Sequence, residues 1–375
     1  MSTLRRLYRN TNDIDFPKIW KRMLVISAIL VAASIVSLAT QWVELSIDFE
    51  GGSRWEVPAA SFDADDAAAV LDDEELSDVR YQEVTLADGT EVLRISSELH
   101  DIDEGARIAG ALADAAGVEP GEVTVSTIGP SWGADITRQA GMSLVWFTIL
   151  LGVYLAWRLE PKMAVGALAA VLHDVIITVG VYSIFRIEVT PATVIAFLTI
   201  LGYSLYDTVV VFDRVQEGLR RYGRTGQFTL PTIMRRALNE TFMRCINTSV
   251  TTILPVIAML VVGGFVFGEA LLVQFSLALA IGLFLGIYSS LFVAAPITAM
   301  LKEREPRFQD IRDRLAGKGV DVSDTSWREP RAAGRTGVEA AAASSGASTG
   351  RSEARPLSVN VGGHPPRPRK SRPKR

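Results

Sequence analysis

Asp207 lies inside an apolar run of membrane length, Val189-Thr-Pro-Ala-Thr-Val-Ile-Ala-Phe-Leu-Thr-Ile-Leu-Gly-Tyr-Ser-Leu-Tyr-Asp207-Thr-Val-Val-Val-Phe212. A carboxylate at the centre of a bilayer costs about 2.5–3.5 kcal/mol on insertion scales, so it persists where it is neutralised, paired or used. The next long apolar stretch opens with Arg244, followed by the polar ladder Asn247, Thr248, Ser249, Thr251 and Thr252. A buried acid, a nearby base and hydroxyls are the parts of a proton relay, with Asp207 and Arg244 at its centre. The same parts also serve a hydrogen-bonded contact that only holds helices together, and both readings stand at this level.

Other residues carry weaker signals. His173 and Asp174 are neighbours in another apolar run, where they fit a relay or a packing hydrogen bond between spans. Thr248, Thr251 and Thr252 fall near the Arg244 face at helical spacing, but membrane hydroxyls also bond backbone carbonyls. Asp213 and Arg214 sit where the Asp207 run ends, as a snorkelling, solvated pair would. Gly51 and Gly52 permit a tight turn.

Positioning these groups requires spans. Of the 375 residues 49% are hydrophobic, and the mean hydropathy of +0.24 is that of a membrane protein. Six runs are long enough to cross about 30 Å of hydrocarbon: 22–42, 139–157, 162–184, 190–213, 244–264 and 270–300. An even count puts both termini on one side. Residues 1–21 and the following Arg22 carry Arg5, Arg6, Arg9, Lys18 and Lys21, and the loop 214–243 carries Arg214, Arg220, Arg221, Arg224, Arg235 and Arg236. Both are expected to be cytoplasmic, and 43–137, with its clusters Asp63–Asp66 and Asp72–Glu75, to face outward. The first span shares features with a secretory signal peptide, but its length and the large domain behind it favour an uncleaved anchor.

The segment 43–137 reads as a small α+β domain. Strand-like Ser53–Val57, Val79–Leu86, Glu91–Ser97 and Glu122–Ile128, with helical Asp63–Leu76 and Ile102–Gly117, give a β-α-β-β-α-β order. That order, with a hairpin signal at Asp88-Gly89, predicts a ferredoxin-like sandwich. After Leu301 a short amphipathic stretch precedes a tail, 331–375, rich first in Ala, Ser and Gly and then in Pro, Arg and Lys. Such a tail is expected to be disordered, and its basic end fits a solvated tail or contact with anionic lipid or ribosomal RNA, without specific nucleic-acid readout. The single cysteine, Cys245, excludes an intramolecular disulfide. No His/Cys cluster, nucleophile elbow, P-loop or nucleotide fingerprint occurs, so no enzymatic site, metal or cofactor is expected.

Four ordered motifs then make the chain recognisable. Gly202-Tyr203-Ser-Leu-Tyr-Asp-Thr-Val-Val-Val-Phe-Asp213-Arg214 closely resembles a signature of the SecF branch of the SecD/SecF protein-export family. Ile47-Asp48-Phe-Glu-Gly51-Gly52, Leu172-His-Asp174 and Arg244-Cys-Ile-Asn-Thr-Ser-Val-Thr-Thr252 match at the family's places, and the resemblance covers residues 20–300. It implies a six-helix half-unit of resistance-nodulation-division type with one extracytoplasmic domain between its first two helices. It also implies a multi-pass subunit of the bacterial cytoplasmic membrane that pairs with SecD beside the SecYEG channel. YajC and SecA are further implied partners, and the substrate is a translocating polypeptide pulled out by the proton-motive force. Asp207 and Arg244 would form a proton site shared with an aspartate of SecD. Tyr206 and Cys245 stand where asparagine and serine are common, and Ser46 where glycine is usual, which bears on local packing rather than on titratable groups.

The residues support that role on their own. One charge moving through 100 mV is worth about 2.3 kcal/mol, enough per proton to bias a conformational equilibrium. An exporter of small molecules or lipids from the same superfamily, and a non-energised assembly subunit, remain competing functions. The external segment is small for a drug-pump porter domain, and an inert scaffold has no reason to bury Asp207.

Overall fold

The computed structural model describes residues 14–58, 62–72, 76, 79–85, 90–99, 101–223, 225–267 and 270–327. Residues 73–75 of the acidic cluster, the Asp88-Gly89 hairpin signal, Arg224, the first thirteen residues and the tail beyond Trp327 lie outside them. In chain order the elements are α1 (Phe16–Gln41), α2 (Ile47–Glu50), β1 (Gly52–Pro58), α3 (Ala64–Leu71), β2 (Arg80–Thr85), β3 (Glu91–Ser97), α4 (Ile102–Ala116) and β4 (Thr124–Ile128). The helical part continues with α5 (Pro130–Arg158), α6 (Pro161–Ile184), α7 (Pro191–Tyr222), α8 (Leu230–Val262), α9 (Ala270–Ser289), α10 (Ala295–Glu303) and α11 (Pro306–Gly317). Among the described residues six helices have the length and apolarity to cross a membrane, the last running as one rod from Leu271 to Glu303. That rod contains a π-helical turn, Ser290–Ala294, between α9 and α10.

These helices outrun the apolar stretches. Five of the six begin with proline at the first or second position, where the missing N–H is not needed and φ is already helical. Hydropathy locates the lipid-facing length, whereas the backbone keeps its hydrogen bonds through polar ends as far as the next breaker. The segment 214–243 is therefore mostly helix rather than loop: α7 continues to Tyr222, α8 starts at Leu230, and only 223–229 connect them. Arg220 and Arg221 fall in the last turn of α7, where cations suit the negative end of the helix dipole.

Packing between the spans uses small residues, because lipid supplies no hydrophobic drive to bring two apolar helices together. Trp20, Ser27, Ser34 and Gln41 recur every seven residues on α1, and the first three are buried. A Cβ on Gly180 of α6 would lie 2.2 Å from Ser34. Nearby, Ser37 and Ser183 hydroxyls meet at 2.7 Å, and Ser27 meets the Tyr288 hydroxyl at 2.9 Å. Helix α9 closes onto α7 in the same manner, with Gly282 against Ile200 and Gly286 against Ser204.

The small domain is a four-stranded antiparallel sheet of order β2-β3-β1-β4, the ferredoxin-like topology. Trp55, Leu93, Ile95, Ile108 and Leu112 form its core with α3 and α4, and the Trp55 indole donates to Gly105 O at 2.9 Å. Asp63 and Asp101 cap the two helices, each accepting from two backbone N–H groups. Polar ties join the domain to the spans. Ser46 N donates to Val189 O at 3.0 Å, Val189 N donates to Glu44 O at 2.7 Å, and Arg54 pairs with Glu188. Asp48 receives the Ser46 hydroxyl at 3.0 Å within the short α2. Gly51 and Gly52 make the turn into β1 with φ of 82° and 115°, and a Cβ on Gly52 would meet Ser97 O at 2.3 Å.

At the opposite end the chain segments before α1 and after α11 meet on α8. Asp15 accepts from Thr325 at 2.9 Å and pairs with Lys18 at 2.8 Å and Arg235 at 3.3 Å, while Trp327 stacks on Phe228 at 4.2 Å. Burial alone would raise the Asp15 pKa, but hydrogen bonds from Lys18 and Thr325 and the charge of Arg235 outweigh it and hold it below the ordinary value.

Two outcomes follow from this packing. Because the folded pKa of Asp15 is depressed, its stabilisation of the contact is present above the unfolded value of about 3.9 and is lost as pH falls through the lowered folded value. The Trp327 contribution to emission, taken as wild type minus Trp327→Phe, should therefore shift on acidification, and Asp15→Asn should abolish that transition. Gly180→Val should cost about 1–3 kcal/mol by overpacking against Ser34. Gly110→Ala, with nothing within 4 Å of the new Cβ, should be neutral or slightly stabilising. Equal melting temperatures for the two variants in detergent would contradict this packing.

Candidate ion-coupling site

Asp207 sits half-buried on α7, and one turn earlier Ser204 is buried on the same helix. A cavity of about 470 Å³ opens between α7, α8 and α9, lined by Asp207, Gly202, Tyr203, Ser204, Thr248 and Thr251 among others. Its volume admits several waters, and its walls offer them polar partners. The Asp207 carboxylate is held loosely: Thr248 and Ser249 hydroxyls each approach it at 3.4 Å. Both hydroxyls also donate to carbonyls of their own helix at shorter distances, Thr248 to Arg244 O at 2.9 Å and Ser249 to Cys245 O at 2.6 Å.

Arg244 and Asp207 form no ion pair within 4 Å, contrary to the expectation from charge alone. Arg244 is exposed on α8, one turn before Thr248, and the hydroxyls of that helix stand nearer to the acid. Thr251 and Thr252 line the cavity, but their hydroxyls bond carbonyls of their own helix, Thr251 to Thr248 O and Thr252 to Thr248 O, both at 2.8 Å. Asp213 and Arg214 diverge. Asp213 pairs with Arg158 of α5 at 3.0 Å, and Arg214 pairs with Glu217 and Glu240. The Arg158–Asp213 and Arg214–Glu240 pairs cross-link the end of the bundle, whereas Arg214–Glu217 lies within α7.

A second polar cluster lies deeper. Asp174 of α6 is 1% exposed. Its Oδ2 accepts from Ser204 of α7 at 2.6 Å and from Ser289 of α9 at 2.7 Å, and its Oδ1 lies 3.0 Å from His173 Nδ1. His173 stacks on Tyr288 at 6.1 Å between ring centres, and its Nε2 is buried without a hydrogen-bond partner. Thr208 and Ser290 extend the cluster, with their hydroxyls 2.8 Å apart. Sequence reading singled out His173 and Asp174 but not Ser204, Ser289, Ser290 or Thr208. The available signals were the i, i+3 spacing of Ser204 to Asp207 and a serine pair inside the last apolar run.

Residues 109–304 match the family model described as protein export membrane protein SecD/SecF, C-terminal. The protein translocase subunit SecF of Streptomyces coelicolor is 39% identical over 313 residues, covering 84% of this chain and 83% of that relative. The chain belongs to the SecF family of protein translocase subunits. SecF proteins from Mycobacterium tuberculosis and Vibrio alginolyticus are 36% and 35% identical, covering 81% and 79% of this chain and 70% and 92% of theirs. The crystal structure of SecDF, a translocon-associated membrane protein from Thermus thermophilus, superposes with a TM-score of 0.69 at 26% identity over 79% of this chain. The chain spans 39% of that SecDF chain, so it matches a part of the longer polypeptide. For a SecF-family subunit the polar groups inside the bundle thus lie in the matched region.

The lone thiol tests the cavity directly. Cys245 is buried on α8, whereas Thr251 is exposed on the cavity wall. The wild-type protein should resist a water-soluble maleimide until denatured, and Thr251→Cys in a Cys245→Ser background should react while folded. Rapid labelling of native Cys245 would contradict the placement of α8.

Proposed function

We propose that this SecF-family chain is the SecF half of a unit with SecD. It uses a transmembrane ion gradient, most simply of protons, to complete export of polypeptides delivered through SecYEG by SecA. In this reading Asp207 is the ion-carrying group. The observation that carries it is an acid at membrane depth, in a cavity open to the bundle surface, held only by two 3.4 Å hydroxyl contacts. With no ion pair within 4 Å among the described residues and a cavity beside it, this carboxylate can exchange hydrogen-bond partners, and a proton, with water directly. The basic ends, including Arg158, Lys162, Arg220 and Arg221, face the cytoplasm, and the sheet domain faces outward, where an emerging chain would meet it. The tie from Glu44, Ser46 and β1 to Val189 and Glu188 gives the domain a mechanical attachment near the start of α7.

Arg244 acts as the partner that Asp207 meets in another state of the cycle, since its long side chain starts one turn from Thr248. A cation closing on the acid favours the ionised form and so times its release of a proton.

Two substitutions test the reading in vesicles holding this chain with SecD. Asp207→Asn should leave insertion and complex formation intact and abolish the stimulation of export by an imposed proton gradient. Wild-type stimulation in that variant would overturn the assignment, and stimulation by a sodium gradient instead would change the ion. Activity should fall in the order wild type, Arg244→Lys, Arg244→Met, because lysine keeps the charge and loses the planar fork. Full activity in Arg244→Met would leave Arg244 no part in the cycle.

A further inference from the structure

Asp174 lies outside the cavity that holds Asp207, yet one side chain belongs to both sites. Ser204 lines the cavity, and its hydroxyl donates to Asp174 Oδ2 at 2.6 Å. A hydroxyl can accept a proton on one side while giving its own on the other. The inner side is prepared for that: Ser289 donates to the same oxygen, His173 Nδ1 faces the other, and His173 Nε2 is buried without a partner. A buried polar atom of this kind is exceptional in a folded interior. The titratable groups that face this site are His173 on its own helix, Tyr288 of α9 stacked on His173, and Asp207 one turn beyond Ser204 on α7; α1 contributes Ser27, bonded to Tyr288.

We propose that Asp174 is a second proton-carrying carboxyl, loaded from the Asp207 cavity through the Ser204 hydroxyl, with His173 as its positioning residue. The proposal rests on the reading that the Asp207 cavity takes up protons. In the loading step a proton from a hydronium in the cavity, or from the acid form of Asp207, bonds to Ser204 Oγ as the serine's own hydrogen crosses to Asp174 Oδ2. Ser204 ends neutral with its hydrogen turned to the cavity, Asp174 ends as the neutral acid, and the donor becomes water or the Asp207 carboxylate. Once protonated, Oδ2 is a weaker acceptor than the carboxylate oxygen it replaces, so the bond from Ser289 weakens. Ser289 then favours Gly286 O, which already stands 3.3 Å from its hydroxyl. That residue immediately precedes the π-helical turn Ser290–Ala294, a helix irregularity of the kind often found at functional sites. Loading therefore loosens the link between α6 and α9 and leaves the link between α6 and α7 in place.

The test is a pH-jump infrared difference measurement on the reconstituted complex with SecD, reading the carbonyl stretch of protonated carboxyl groups. The wild type should show two contributions from within the bundle. Asp207→Asn should remove one, and Asp174→Asn should remove the other. Ser204→Ala should leave the Asp207 contribution and slow the appearance of the Asp174 contribution on the order of a hundredfold, the scale of a positioned proton transfer. If Asp174→Asn reproduces the wild-type spectrum, Asp174 does not load and the proposal falls, while the assignment of Asp207 stands. If Asp207→Asn leaves both spectrum and export unchanged, it is the proposed function that fails. Should Asp174→Asn fail to assemble, Ser204→Ala decides alone, since wild-type loading kinetics in that variant overturn the route.

Discussion

A buried carboxyl group without water must find its hydrogen bonds inside the protein, and at Asp174 that requirement joins three helices. The group takes donors from α7 and α9 and a neighbour on α6 itself. Each contact fixes an axial position as well as a distance, because sliding α7 or α9 by one residue, about 1.5 Å, would carry the serine away from the acid. Apolar contacts between membrane helices lack that discrimination. The polar cluster therefore sets the register of the bundle, and the register places Asp207 on the cavity wall.

Close approach makes the cluster possible. Gly282 and Gly286 let α9 come near enough to α7 for both Ser204 and Ser289 to reach the same oxygen, and Gly180 lets α1 lie against α6. A larger side chain at any of these points would separate the helices by more than a hydrogen bond tolerates. Small residues and hydroxyls thus act together, the first by permitting contact and the second by directing it.

The two carboxyl groups illustrate how environment divides identical chemistry. Asp174 is enclosed and bonded at 2.6–3.0 Å, whereas Asp207 has two contacts at 3.4 Å and a cavity beside it. Short, convergent hydrogen bonds hold a group in one geometry, while long ones leave it free to exchange partners. The sheet domain stands at the far end of the same elements, tied through Val189 just before α7 begins. A shift of that helix is accordingly felt both at the acid and at the domain.

Much of this was legible in the sequence, for reasons that are local. Apolar length marked six spans, the alternation and order of short elements marked the ferredoxin-like sheet, and Asp207, Arg244, His173 and Asp174 stood out because charge in an apolar run is rare. Helix ends were less legible, since α8 begins at Leu230 through proline and backbone hydrogen bonding rather than through hydropathy. What only the tertiary structure decided is which polar groups meet. Arg244 looked like the partner of Asp207, yet Thr248 and Ser249 are the groups beside it. Ser204 and Ser289, ordinary residues in a one-dimensional reading, converge on Asp174 from 30 and 115 positions away. Periodicity tells which face of a helix a residue occupies, but the partner of that face depends on how closely other helices approach, and that distance is set by glycines and serines whose meaning appears only in three dimensions.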